Sequence, residues 1–181
     1  MTAFYTRNGD DGLTGMLGNQ RIPKHSPRME AIGSLDEANA AMGIVRSQTR
    51  SVEVREMVIN IQRQLYMVMG EIAASKENAE KFRKIDQAAI SWIEGEIDRI
   101  SNQVNIPGEF IVPGDTNGGA FLALARTIVR RAERRVAELF SLNEIENENL
   151  LSYLNRLSSL CFVLELYENN LIGKGDQTLV K

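Results

Sequence analysis

From Pro27 onward the apolar residues recur at helical spacing. Ala31, Leu35, Ala38, Met42 and Val45 advance by threes and fours, which lines them along one face of a helix. Ser26 followed by Pro27 supplies a cap and a first-turn residue, so the pattern predicts a first helix over about 27 to 48. Val54, Met57, Val58, Ile61, Leu65, Val68, Met69 and Ile72 repeat the pattern in a second helix, over about 51 to 75. The charged stretch "SKENAEKFRK" interrupts it as a connector. Ile90, Ile93, Ile97 and Ile100 then mark a third helix over roughly 86 to 101, with Asp86 as its cap. The stretch "NQVNIPGEFIVPGDTNGG" holds two prolines and four glycines and cannot be regular helix. A fourth helix starts near Asp115 or Thr116 and runs to about Leu142. A fifth, from about 147 to 169, carries Leu150, Leu151, Leu154, Leu157, Leu160, Val163 and Leu164.

No strand-like alternation competes with these five segments. The predicted class is therefore all-α, a five-helix bundle preceded by a glycine-rich N-terminal loop. In that loop Gly9, Gly12, Gly15 and Gly18 recur at every third position, which reads as loop or short hairpin. The closing "IGKGDQTLVK" reads as a loosely ordered tail. At 181 residues the chain is the size of one domain. It is read as a single domain with a loop at 1–26, the bundle at 27–169 and a tail at 170–181.

Composition narrows the function. With 43% hydrophobic and 25% charged residues the chain reads as soluble and globular, and no run approaches the roughly 18 to 20 apolar residues of a membrane span. The start "MTAFYTRNGDDG" lacks the apolar stretch of a signal peptide, so a cytoplasmic location is expected. A net charge of -3 and a pI near 5.4 argue against nucleic-acid binding. Cys161 is the single cysteine, which excludes an internal disulfide and suits a small core residue. The lone His25 excludes His-rich metal sites and is expected in an exposed loop.

Against that acidic background, "ARTIVRRAERRVAEL" concentrates five arginines within ten residues. On a helical wheel Phe121, Ala125, Ile128, Ala132, Val136 and Leu139 form the core stripe, while Arg126, Arg130 and Glu133 fall within about 60° of one another on a separate one. Arg134 flanks that second stripe, and Arg131 and Arg135 lie on the other side of the core. Two readings stay open. The arginines are solvated flank residues in ordinary helix pairs, or their planar five-donor forks meet a polyanion or a buried carboxylate. The loop "YTRNGDDGLTG" is similarly open: a plain hairpin, or a phosphate-binding loop whose glycines admit an anion to the backbone amides. Thr6 and Thr14 would then offer hydroxyls, Arg7 a cation, and Asp10 and Asp11 a water-mediated metal contact. It lacks the lysine and spacing of a Walker A loop.

Three segments, in order, change the picture. "YTRNGDDGLTGMLGNQRIPKHSPRMEAIGSLDEANAAMG", "FIVPGDTNGGAFLALARTIVRRAERRV" and "YLNRLSSLCFVLELYEN" each resemble a segment of the PduO-type ATP:cob(I)alamin adenosyltransferases, and together they cover essentially the whole chain. The resemblance implies a five-helix bundle that assembles as a homotrimer with an active site at each subunit interface. It implies transfer of the 5'-deoxyadenosyl group of ATP to the cobalt of cob(I)alamin, giving adenosylcobalamin and triphosphate. The reduced cobalt is itself the nucleophile, so the protein's tasks are positioning and charge.

By resemblance, Thr6, Arg7, Gly9, Asp10, Gly12 and Thr14 fold over the triphosphate, which carries Mg²⁺, and Lys24 reaches phosphate from the following loop. Arg130 neutralises the leaving triphosphate, and Arg126 pairs with Asp36 to shape the interface. Glu133 and Arg134 complete the ATP site, with Asn155 on the nucleoside. Phe110 presses on the lower face of the cobalt and excludes its lower ligand, with Phe162 on the same apolar face. The implied partners are ATP, the corrinoid, a reductase that supplies Co(I), and an adenosylcobalamin-dependent client enzyme; neither nucleic acid nor membrane is among them. Three departures stand out: Asn8 and Asp11 in "TRNGDDG" where the family commonly has "TKTGDKG", Asp115 where "PGG" is usual, and Ser159 in place of an aspartate. Two further readings remain, a non-catalytic carrier of ATP and corrinoid that delivers adenosylcobalamin, and a structural bundle whose arginines form only interface salt bridges.

Overall fold

The computed structural model describes residue 5, residues 7–171 and residues 177–180. The N-terminal region is a short antiparallel hairpin, β1 (Leu13–Gly15) and β2 (Arg21–Pro23), with Thr14 opposite Ile22. Helix α1 (Pro27–Gln48) follows, then α2 (Val52–Ala73), the single turn α3 (Ala79–Phe82), α4 (Gln87–Ser101), α5 (Asn117–Ser141) and α6 (Asn149–Leu171). The five long helices fulfil the all-α expectation. The charged connector differs from it by containing α3, one turn that buries no side chain and is too short to leave an apolar signature.

Local chemistry sets where four helices start. The side chains of Ser26, Ser51, Asp86 and Thr116 accept hydrogen bonds from the backbone N–H of Met29, Val54, Ala89 and Gly119, satisfying donors that helix geometry leaves open. Pro27 opens α1, where its missing N–H costs nothing.

Helix α5 lies between α1 and α6; α2 flanks α1 and α4 flanks α6. Arg99 of α4 reaches back to Glu53 of α2 in an ion pair, and the Tyr167 hydroxyl of α6 donates to Glu53 at 3.0 Å. The core enclosed by this arrangement includes fully buried Leu35, Met42, Ile61, Leu65, Ile72, Ile93, Ile100, Leu122 and Leu139. Cys161 belongs to it, and burial pushes its thiol up to about 12, so it is unreactive at neutral pH. His25 is exposed, as expected. Buried Arg28 pins three segments together: its guanidinium donates to the Ile72 carbonyl at 2.7 Å and to the Glu144 carbonyl at 2.7 Å, and pairs with the Glu144 carboxylate at 2.6 Å.

The first turn of α5 presses against the end of α6. Thr116 donates its hydroxyl to Asn169 Oδ1 at 2.7 Å, and buried Glu168 accepts from Thr49. A methyl on Gly118 would stand 2.6 Å from Glu168 Oε2, so only glycine permits this approach. The tail expectation is corrected for residues 177–180, which are tied to the segment that carries Phe110, with Val112 N–H donating to the Thr178 carbonyl at 2.7 Å and Val180 N–H to the Phe110 carbonyl at 2.8 Å; residues 172–176 and 181 lie outside the described residues. Backbone pairing, which leaves no compositional trace, is the reason it was missed.

Gly118→Ala is expected to destabilise the fold by about 1–3 kcal/mol through overpacking against Glu168. Chemical denaturation compared with wild type checks this.

Candidate functional site

The exposed stripe of α5 forms one wall of a cavity of about 480 Å³, lined by Arg130, Glu133, Arg134 and Ala137 of α5 and by Leu151, Ser152, Asn155 and Arg156 of α6. That is within the size range of small-ligand sites. Asn155 Nδ2 donates to Glu133 Oε1 at 3.0 Å, fixing the amide across the cavity, and Arg134 donates to the Arg130 carbonyl at 3.0 Å. Arg156 is held by Glu94 of α4 at 3.0 Å. The arginines on the other side of the core have ordinary partners: Arg131 pairs with Glu37 of α1, and Arg135 with Glu138 at 3.2 Å. The solvated-flank reading thus describes Arg131 and Arg135, whereas Arg130 and Arg134 line the cavity. Three guanidinium groups, those of Arg130, Arg134 and Arg156, with the Asn155 amide and an apolar wall of Ala137 and Leu151, make a chemistry suited to a phosphorylated nucleoside.

One turn toward the N-terminus of α5, about 6 Å along the axis, lies a second cavity of about 230 Å³ lined by Glu109, Phe110, Ile111, Pro113, Arg126, Phe162 and Glu165. Phe110 is 85% exposed at its mouth. Arg126 Nε and Glu165 Oε1 are both buried and have no hydrogen-bond partner among the described residues. Burial pushes the Glu165 carboxyl up to about 7; the Arg126 charge opposes the shift and the Asp115 charge adds to it. Glu165 was not singled out from the sequence. Its signal was there, a lone carboxylate inside the apolar run "CFVLEL".

The hairpin holds its own loop. Asp11 accepts from both Arg21 guanidinium nitrogens at 2.9 Å, which holds its carboxyl below the usual range and gives each of its oxygens a cationic partner. Lys24 Nζ donates to the Gly9 carbonyl at 2.8 Å, Lys24 N–H to the Gly12 carbonyl at 2.9 Å, and Gly12 takes a φ of 79°, in the left-handed region. Arg7 also has a positive φ, 61°, with its guanidinium 5.6 Å from the Tyr5 ring centre. Among the described residues no three His, Cys, Asp or Glu side chains converge as a metal cage. A divalent ion carried on phosphate oxygens and water is compatible with that donor set, with exposed Asp10 the carboxylate still open to it.

The sequence-predicted residues thus fall into groups. Arg130, Glu133, Arg134 and Asn155 share one cavity; Phe110, Arg126 and Phe162 share the next. Arg7, Gly9, Asp10, Gly12, Thr14 and Lys24 belong to the hairpin and line neither cavity, and Thr6 lies outside the described residues. Asp36 is exposed on α1 and does not meet Arg126 within the chain: no ion pair joins them, and Asp36 lines neither cavity. The expected pairing is therefore not made inside one subunit.

The bundle thus sets a guanidinium-lined polar cavity beside an aromatic one along a single helix. The family described as "Cobalamin adenosyltransferase" matches residues 4–168, and the chain belongs to it. The chain is 37% identical to the corrinoid adenosyltransferase PduO of Citrobacter freundii over 95% of its own length, and spans about half (53%) of that relative. It is 36% identical to a corrinoid adenosyltransferase of Bacillus subtilis, covering 96% of this chain and 90% of that one. A solved variant of the PduO-type ATP:corrinoid adenosyltransferase from Lactobacillus reuteri, complexed with cobalamin and ATP, superposes with a TM-score of 0.89 at 32% identity and covers 99% of both chains. Among the described residues, no helix is long and apolar enough to cross a membrane.

Because the folded-state pKa of Glu165 is raised from 4.5 to about 7, its contribution to stability is fully present below about 4.5 and lost as pH rises through about 7. Unfolding midpoints are expected to fall between pH 5 and 8, and Glu165→Gln to flatten that decline. Denaturation of both proteins across this range checks it.

Proposed function

We propose that the protein transfers the 5'-deoxyadenosyl group of ATP to the cobalt of a reduced corrinoid. The cobalt electron pair forms a bond to C5' of ATP, the C5'–O5' bond breaks, and triphosphate departs with its charge. The observation that carries this reading is the adjacency along α5 of a cavity bearing Arg130 and Arg134 and a cavity bearing Phe110, Phe162 and Arg126. Arg130 and Arg134 neutralise the developing triphosphate, which is where a fixed cation lowers the barrier. Glu133 and Asn155, already bonded to each other at 3.0 Å, orient the nucleoside. Phe110 and Phe162 offer the corrin an apolar face that excludes a lower axial ligand. Arg7, Gly9, Asp10, Gly12, Thr14 and Lys24 close over the phosphates, with Mg²⁺ bound through the phosphate oxygens.

The same reading has the protein working as a homotrimer. Its support is the buried Arg126 Nε that finds no hydrogen-bond partner among the described residues, together with the exposed Asp36 of α1; in a trimer the Asp36 carboxylate of one copy pairs with Arg126 of the next. We read the chain as one adenosyltransferase domain acting in the cytoplasm on ATP, with a reductase supplying Co(I) and a client enzyme receiving the product.

An anaerobic assay with chemically reduced cobalamin and Mg-ATP tests the reaction. Spectral conversion to adenosylcobalamin with release of intact triphosphate is the expected result; ATP and corrinoid bound without turnover would replace the enzyme by a carrier. Arg130→Ala is expected to lower kcat by about a hundredfold, the scale of losing one preorganised charge partner, while sedimentation shows unchanged assembly. An unchanged rate would remove Arg130 from the site.

A further inference from the structure

Phe110 is almost fully exposed, and its neighbours offer little apolar anchorage: Ile106 and Val112 are 52% and 43% exposed. Packing does not explain how the Phe110 backbone is held. Hydrogen bonds do. Residues 177–180 lie antiparallel to this segment with Ile111 opposite Leu179. The Phe110 carbonyl accepts from Val180 N–H at 2.8 Å, and Val112 N–H donates to the Thr178 carbonyl at 2.7 Å. The short strand is itself secured at two points. The Asp115 carboxylate accepts from Thr178 N–H at 2.9 Å and from the Thr178 hydroxyl at 2.6 Å, and Gln177 Oε1 accepts from Asn169 of α6 at 2.7 Å. Asn169 also receives the hydroxyl of Thr116, the cap of α5.

We infer that Asp115 is a positioning residue for Phe110, acting through Thr178 and the segment 177–180. Its carboxylate binds both donors of one residue, and hydrogen bonds to an ionised acceptor are about twice as strong as neutral ones. A glycine at this position, the form common in the resembling family, has no side chain to make either bond. Asp115 immediately precedes Thr116, the cap of α5, so the latch joins the Phe110 segment to the same helix that carries Arg126 and Arg130. This inference rests on the adenosyltransferase reading for what Phe110 does, but not for the latch itself.

Two measurements separate these. Residue-resolved amide exchange at Val112 and Val180 reads the latch directly, with no ligand present. Absorbance and electron paramagnetic resonance of cob(II)alamin with ATP report the four-coordinate Co(II) that a correctly placed Phe110 produces. Asp115→Ala is expected to speed exchange at both amides by about tenfold or more, the scale of losing hydrogen bonds to a charged group. The four-coordinate fraction should fall by a similar factor, with ATP affinity within about twofold of wild type. Asp115→Asn, which keeps one acceptor, should recover most of both signals. Thr178→Val, at an exposed position that carries little folding risk, should reproduce the defect in part. Unchanged exchange in Asp115→Ala and Thr178→Val overturns the latch; faster exchange with a full four-coordinate signal overturns its link to Phe110. Failure of wild type to form that species with cob(II)alamin and ATP would count against the adenosyltransferase reading and sever the link to Phe110, while exchange alone would still decide the latch.

Discussion

The burial of one stripe of α5 against both α1 and α6 is the constraint from which the rest of the structure follows. Leu122, Ala125, Val129, Ala132, Val136 and Leu139 are all fully buried, and the larger of them are worth roughly 1.5–3 kcal/mol each when taken from water. Ala125 and Ala132 let neighbouring backbones come close. A helix gripped on two sides cannot rotate, so the stripe at Arg126, Arg130 and Glu133 has one place to point. The two cavities take their order from the helix: residues four apart sit one turn apart. Charge is thus delivered to a defined line by apolar packing on the opposite side, and Arg131, off that line, finds its ion pair with Glu37.

The depth of α5 along its axis is fixed separately, at its first turn. Thr116 caps the helix and simultaneously bonds Asn169, while Gly118 leaves room for the buried Glu168 carboxylate. A buried carboxylate needs donors, and Thr49 at the end of α1 supplies one. Three helix ends therefore meet in one polar knot, which sets the height of Arg126 relative to Phe162 on α6. One turn before Glu168 on α6 lies another buried carboxylate, Glu165. Its carboxyl faces Arg126 across a small cavity, opposed by the charge of Asp115, and is raised toward neutrality because burial outweighs the one nearby cation.

What was legible in the sequence follows the range of the interaction responsible. Period and caps are local, so the bounds of α1 and α4 and the cap at Thr116 could be read within a residue or so. The stripe of Arg130 and Arg134 was legible for the same reason, since the wheel needs only one helix. Contacts between distant segments were not. The bridge of residues 177–180 to Ile111, the knot of Thr49 with Glu168, and the commitment of Asp11 to Arg21 join residues that composition cannot pair. The Arg126 pairing with Asp36 came from resemblance, and among the described residues no ion pair joins the two.

The departures from the resembling family are absorbed locally. Asp11 adds a negative charge to the glycine-rich loop, but Arg21 takes that carboxylate in two hydrogen bonds, and its guanidinium also reaches the Asn8 carbonyl. The local charge of the loop is therefore closer to that of a neutral residue than the sequence implies. Ser159 turns its hydroxyl back to the Asn155 carbonyl within α6, as a small hydroxylated residue does in a helix. Asp115 engages Thr178. None of the three lines the cavity of Arg130, Arg134 and Asn155, so that cavity keeps its charge pattern. The effect of Asp11 falls on the hairpin and that of Asp115 on the segment carrying Phe110, while that of Ser159 stays within α6.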